Sequence, residues 1–248
     1  MNVVIIEKQE IHNGKIVLSD HRAAHIVKIL KCREGDSIKF GVLGGKIGTA
    51  RIISLHGKFP FRVELDGRAE SLPPPKEKID FLLALPRPIM LRRILSQIVA
   101  LGVQNLHIVN ANRVEKSFWD TSLLEQHGYM EHLVQGLEQA VDTIIPEVIF
   151  HRRFKPFVED YLPTIKKRYS DMLVAHPESD ATLGSILGSG GGRVLVAVGP
   201  EGGWVDYEVA KLQEQGFSVF NIGCRILKVD TAVVNIHGRV MSLFENGR

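Results

Sequence analysis

Glycine-marked junctions carry the strongest chemical signal in this sequence. The apolar run Arg193-Val-Leu-Val-Ala-Val-Gly199 leads straight into Gly199-Pro-Glu-Gly-Gly-Trp204, with three glycines and a proline in a five-residue turn. Such a turn is needed where a backbone approaches something closely, or bends where a side chain would clash. Phe217-Ser-Val-Phe-Asn-Ile-Gly223 runs likewise into Cys224-Arg-Ile-Leu-Lys-Val-Asp-Thr231. Two such junctions at the carboxyl ends of parallel strands would line a ligand crevice; a purely structural turn is the competing reading. The first turn has no Lys-Ser/Thr and lacks Gly-x-Gly-x-x-Gly spacing, which excludes the P-loop and the dinucleotide fingerprint.

Other reactive types form weaker patterns. His21 and His25 stand at i, i+4, the spacing of a metal pair, yet no third ligand is near and no metal is expected. Glu131 with His132, or Glu138 with Asp142, could be acid–base pairs, and solvated helix faces explain them as well. No Ser or Cys has a nucleophile's setting. Cys32 and Cys224 lack metal or redox spacing and read as reduced thiols.

The 248 residues, 44% hydrophobic and 24% charged, suit a soluble globular protein of one large domain or two ordinary ones. No apolar run is as long as a membrane span. The start, Met1-Asn-Val-Val-Ile-Ile, has no basic n-region, so a signal peptide is not expected and a cytoplasmic location is. A net charge of +3 hides basic clusters at 25–33, 87–93, 113–116, 151–155 and 166–168. Local patches of this kind can bind nucleic acid or can be solvated faces.

The elements that would position these groups fall into two patterns. Short strands over 3–6, 15–18, 36–40, 46–54 and 61–65, with a helix capped by Asp20, favour a small barrel. In that helix Ala24, Ile26, Val27, Ile29 and Leu30 share one broad apolar face. Ser71-Leu-Pro-Pro-Pro-Lys76 is a stiff linker without backbone donors in its proline run. Strands over 79–85, 105–109, 147–150, 171–175, 194–198 and 218–222 then alternate with helices over 90–101, 123–141, 157–169, 206–215 and 231–244, and 188–192 reads as a flexible surface loop. That alternation predicts an α/β fold with a mainly parallel, buried sheet.

Three segments, His176-Pro177, Gly199-Pro-Glu-Gly-Gly203 and Gly223-Cys-Arg-Ile-Leu-Lys-Val-Asp-Thr-Ala232, resemble those of SPOUT-class RNA methyltransferases. The family most resembled is the one that methylates N3 of a uridine in 16S ribosomal RNA. Leu85-Pro-Arg87, Ala100-Leu-Gly-Val103, Arg113, Glu138-Gln139 and Pro146-Glu147 follow in family order, and His25-Ile-Val-Lys-Ile-Leu-Lys-Cys-Arg-Glu-Gly-Asp36 is similar to its RNA-binding barrel segment. The resemblance covers nearly the whole chain.

It implies a PUA-like RNA-binding β-barrel over 1–72 and an α/β methyltransferase domain with a carboxy-terminal trefoil knot over 76–248, assembled as a homodimer. It implies S-adenosylmethionine as cofactor, held by Ala175, His176, Pro177, Gly199, Pro200, Glu201, Gly202, Gly203, Ile222, Gly223, Ile226, Leu227, Lys228 and Thr231. Side chains at Gly202, Gly203 or Gly223 would then fill the cofactor's space. Arg113 and Arg87 would hold or polarise the target base, with Lys228 and Asp230 ordering the last loop. His25, Lys28, Lys31, Glu138 and Gln139 would meet 16S ribosomal RNA or the small ribosomal subunit. The family's usual Arg-x-Glu-Thr-Ala is here Lys228-Val-Asp230-Thr231-Ala232, and its usual Gln-Lys pair and Glu on the helix after Arg87 are Ser96, Gln97 and Ala100. Methylation of another base or of a ribose 2′-hydroxyl stays open, as does RNA binding without catalysis.

Overall fold

The computed structural model describes residues 2–187 and 191–246, so 188–190, the heart of the expected 188–192 loop, lie outside the described residues. The chain forms two compact units, one of Met1–Pro75 with Leu133–Ile145, the other of Lys76–His132 with Pro146–Arg248.

The first unit contains β1 (Val4–Ile6), β2 (Ile11–His12), β3 (Lys15–Leu18), α1 (His21–Lys28), β4 (Ser37–Val42), β5 (Ile47–His56) and β6 (Arg62–Ser71). They form a six-stranded sheet in the order β1-β4-β5-β6-β3-β2, parallel at β1–β4 and antiparallel elsewhere. Alternate side chains of β1 near one edge (Val4, Ile6) and of β3 near the other (Ile16, Leu18) enter the same core as Phe40, Ile52 and Leu65. A flat sheet could not bring its edges to one core, so the sheet curls on itself. The Asp20 carboxylate caps α1 by accepting the Arg22 N–H at 2.9 Å, and Ala23 and Ile26 seal the barrel. Ile29 and Leu30, expected on the buried face, are 67% and 42% exposed because α1 ends at Lys28 and the chain turns away.

The second unit contains β7 (Ile79–Ala84), α2 (Pro88–Ala100), β8 (Asn105–Val109), the start of α3 (Gln126–Ala140), β9 (Glu147–His151), β10 (Asp171–Ala175), β11 (Val194–Val198), β12 (Ser218–Phe220) and helices Asp206–Glu214 and Val229–Asn246. Its sheet runs β12-β10-β11-β7-β8-β9, parallel throughout. All of β7 and β11 is buried, as strands covered on both faces must be. From α2, Leu91, Ile94, Leu95, Ile98 and Val99 are buried, and α2 packs on the closing helix Val229–Asn246. Gly102, at φ +72°, ends α2 by donating its N–H to the Val99 carbonyl.

The helix expected over 157–169 is broken into short pieces, with a π turn at Phe157–Tyr161 before Leu162–Ile165. Pro163 has no N–H to give the preceding turn and its ring crowds that turn's carbonyls, so the ladder widens; the Leu162 N–H reaches back to Phe157. No helix among the described residues is long and apolar enough to cross a membrane.

Beneath this broken helix His107 and His151 meet ring to ring, with nitrogens 3.4 Å apart, against Phe157 and Tyr161. Burial, then the neighbouring His151 and Arg168 charges, pushes His107 down to about 4; burial also pushes His151 to about 4. The unfolded chain therefore takes up protons first as pH falls through the ordinary histidine range near 6.5. Stability conferred by these neutral rings is complete above about pH 6.5 and is lost as pH falls toward 4. Urea midpoints should drop across that window in the wild type and drop less in His107→Phe/His151→Phe.

Candidate functional site

Four adjacent parallel strands, β12, β10, β11 and β7, end at one edge of the second unit's sheet. There the chain order reverses: β8 and β9 lie to one side of β7, and β10 to β12 to the other. Such a switch point leaves the loops after neighbouring strands splayed apart, with a crevice between them. The crevice is a cavity of about 570 Å³, within the ~300–1,000 Å³ of small-molecule sites.

Each wall is a loop that follows a strand. After β10 come Ala175, His176 and Pro177; after β11, Gly199, Pro200, Glu201, Gly202 and Gly203; after β12, Ile222, Gly223, Ile226, Leu227 and Lys228. All thirteen of these expected cofactor contacts line the cavity. Thr231 does not: it lies exposed in the closing helix, while its neighbours Val229 and Ala232 face the cavity. Arg87 lines the mouth from the start of α2.

The loops are held by local chemistry. Gly203, at φ +76°, gives its N–H to the Pro200 carbonyl at 2.8 Å and closes a tight turn. The Glu201 carboxylate accepts the Arg87 N–H at 3.0 Å. Arg87 is the N-cap of α2 and makes no side-chain cap of its own, so Glu201 supplies the negative charge that a helix amino end favours. Asn221 folds its carbonyl oxygen back to the Gly223 N–H at 3.1 Å, an Asx turn, and its amide donates to the Ser179 carbonyl. Asp230 accepts the Thr231 N–H at 2.9 Å and lies 3.6 Å from the Arg93 guanidinium, tying the closing helix to α2.

Arg113 stands on the cavity's rim. Its Nη1 donates to the Gly202 carbonyl at 2.5 Å, and a Cβ on Gly202 would lie 3.0 Å from its Cδ. A side chain on Gly202 would therefore press on Arg113, and Gly202 also lines the cavity. At Gly223 a Cβ would meet no protein atom within 4 Å, and φ is +123°.

Several residues of this edge carry no local sequence signal. The buried Glu208 accepts the N–H of Asn112 at 2.7 Å and that of Val205 at 3.1 Å, fixing the loop that bears Arg113 against helix Asp206–Glu214. Trp204 lines the cavity, buried beside Phe154, and its indole N–H has no hydrogen-bond partner among the described residues. Ile226 is 87% exposed over the opening. An apolar cover and a cavity walled by glycine-rich loops suit a nucleoside-like ligand.

The remaining expected contacts belong to the first unit. Lys28 and Lys31 are exposed, with the Lys28 ammonium 4.7 Å from the centre of the Phe61 ring. His25 is half-buried, its Nε2 without a partner among the described residues; burial, then the positive amino terminus and His21, holds its pKa down. Glu138 is buried and Gln139 exposed at the end of α3. The Glu138 carbonyl accepts the N–H of Asn2 and Val3, joining α3 to the start of β1. Burial raises the Glu138 carboxyl against the smaller pull of His21 and Arg22.

Comparison with known proteins bears on this geometry. Residues 73–241 match an RNA methyltransferase domain and residues 18–64 an RNA methyltransferase PUA domain. The ribosomal RNA small subunit methyltransferase E of Treponema pallidum is 31% identical over 237 residues, covering 94% of this chain and 87% of that protein. Ribosomal RNA small subunit methyltransferase E 1 of Borreliella burgdorferi is 27% identical over 235 residues, 94% of each chain. The fold is shared by a Neisseria gonorrhoeae ribosomal RNA small subunit methyltransferase E whose crystal structure holds S-adenosyl methionine, with a TM-score of 0.75, 21% identity and 98% of each chain covered.

Proposed function

This chain belongs to the RNA methyltransferase family, and from that premise we propose that it methylates N3 of a uridine in 16S ribosomal RNA, with S-adenosylmethionine as donor. The observation that carries the reading is the joining of three strand-end loops, two of them glycine-marked, around one cavity, with the Arg113 guanidinium on its rim. The names of its Treponema and Borreliella relatives support the ribosomal substrate.

The residues fit the cofactor. The loops over 175–177, 199–203 and 222–228 surround a cavity that an adenosine and an amino acid would fill, and Ile226 can cover an apolar ring. Bound there, the cofactor supplies a methyl group on a sulfonium. The protein's task is alignment of an in-line attack and stabilisation of the nucleophile. Uracil N3 must lose its proton before or during attack, leaving charge on the base. A guanidinium at Arg113, with Arg87 at the mouth, stabilises that charge as an electrostatic hole does. Lys228 and Asp230 order the last loop. The base has to leave its stack, so single-stranded or splayed RNA is the substrate form.

Under this proposal residues 1–72 gather RNA through His25, Lys28 and Lys31, with Glu138 and Gln139 beside them in the same unit, and residues 76–248 carry the reaction. The proposal includes a knotted carboxy-terminal path, supported by β11 lying between β7 and β10 though it follows both in the chain. It also includes a homodimer, supported by exposed Ile89, Val234 and Leu243 on α2 and the closing helix.

The test uses labelled cofactor and small subunits from a strain lacking the modification, with the RNA digested to nucleosides. Label is expected in 3-methyluridine. Label only in a 2′-O-methyl nucleoside or in another base overturns the N3 assignment, and cofactor binding without transfer overturns catalysis.

A further inference from the structure

A second cavity, of about 730 Å³, opens beyond the carboxyl ends of β8 and β9 on the same sheet edge. Lys116, Arg152 and Lys155 line it, all exposed, together with the aromatic rings of Phe154 and Tyr207. Two of these groups are set in place. The Arg152 guanidinium lies 5.4 Å from the centre of the Trp119 ring, and that indole is itself fixed by donating to Asn110 Oδ1 at 2.8 Å. Phe154 is seated against Trp204, centroids 6.1 Å apart. Lys155 has one long ion pair, 3.9 Å to exposed Glu159, which contributes little. The Glu208 carboxylate of this cavity is buried and spends its oxygens on two backbone N–H groups. The opening thus combines fixed positive charge with aromatic surface, the pairing that recognises a phosphate joined to a base.

The two cavities share a wall. Asn112 and Val114 line the second, while Arg113 between them donates to Gly202 of the first. Trp204 lines the first and Val205 the second. A strand with its target base at Arg113 would have its next nucleotide over the second opening.

We propose that this second cavity is a flanking-nucleotide subsite. It takes the residue adjacent to the target in single-stranded RNA, with its phosphate on Lys116, Arg152 and Lys155 and its base against Tyr207 and Phe154. The assignment rests on RNA as the substrate of the first cavity.

Binding of a fluorescent U-rich nonanucleotide RNA to the full-length chain, over a salt series, tests it. Lys116→Ala/Arg152→Ala/Lys155→Ala should weaken binding at least tenfold and reduce the log–log salt slope by about 2, three contacts at ~0.7 each for a single strand. Tyr207→Ala should weaken binding severalfold with the slope unchanged. Calorimetric affinity for S-adenosylmethionine should stay at the wild-type value in both. The subsite is overturned by wild-type affinity and slope in the triple variant, by an equal loss in Lys166→Ala/Lys167→Ala/Arg168→Ala, or by failure of the wild type to bind the nonanucleotide. If the wild type binds this RNA yet transfers no methyl group to ribosomal RNA, the proposed reaction fails while the binding series still decides the subsite.

Discussion

Arg113→Ala should lower turnover on ribosomal RNA by about 10²–10³-fold, the loss typical of one electrostatic donor aimed at developing charge. Affinity for S-adenosylmethionine should barely change, because Arg113 stands on the rim and its side chain is not among the cavity's walls. Single-turnover rates and calorimetry separate the two quantities. Arg113→Lys keeps the charge but loses the planar fork, so only part of the rate should return. Gly202→Ala provides an independent route to the same group. Its new methyl would lie 3.0 Å from Arg113 Cδ and 3.2 Å from Arg113 Cβ, pressing on the side chain that carries the guanidinium. Turnover should therefore fall while cofactor affinity holds. Equal losses of rate and cofactor affinity in Arg113→Ala would overturn the proposal and leave Arg113 as a brace for the Gly202 carbonyl.

Much of the second unit's frame is legible because buried parallel strands are written as short, continuous apolar runs. β8, β10 and β11 coincide with those runs residue for residue. The carboxyl-edge crevice is legible for a related reason: glycines after two strands leave room, and both strand ends meet at the cavity. Long-range links are not legible. Glu201 reaches the Arg87 N–H across 114 positions and Glu208 reaches Asn112 across 96. An acidic residue near a turn or in a helix's first turn has several local uses, and nothing in its neighbours names a distant one.

The end of α3 shows the same limit. The expected helix over 123–141 starts instead at Gln126, after a tighter turn over Ser122–Leu124 whose Ser122 carbonyl comes so close to Gly128 that a Cβ there would press on it. From Leu133 the chain groups with the first unit, through the Glu138 carbonyl and through Thr143, whose hydroxyl donates to the Gly45 carbonyl at 2.5 Å. Helical periodicity reports which face of α3 is apolar and is silent on which core receives it. Truncation to a chain beginning at Lys76 would strip Glu138 and Thr143 of those partners, so RNA and cofactor binding are better dissected in the full-length chain.

Gly223→Val should remove measurable S-adenosylmethionine binding, a loss of at least about 100-fold, while the protein stays folded. Two effects act together. The φ of +123° is one that L side chains rarely adopt, and a Cβ built there meets no protein atom within 4 Å. Gly223 lines the cavity, so a branched side chain takes space that the cofactor needs, and no core packing is disturbed. Gly223→Ala separates the contributions, since it carries the same backbone strain with a single methyl group. If occlusion dominates, alanine should lose far less affinity than valine. If strain dominates, the two should lose affinity alike and both should lower the urea midpoint, since a residue held at an unsuited φ destabilises the folded state. Calorimetry with the cofactor alone, alongside urea unfolding of each variant, reads both effects without any RNA. Wild-type affinity in Gly223→Val would mean that the cofactor is held elsewhere than between these strand ends.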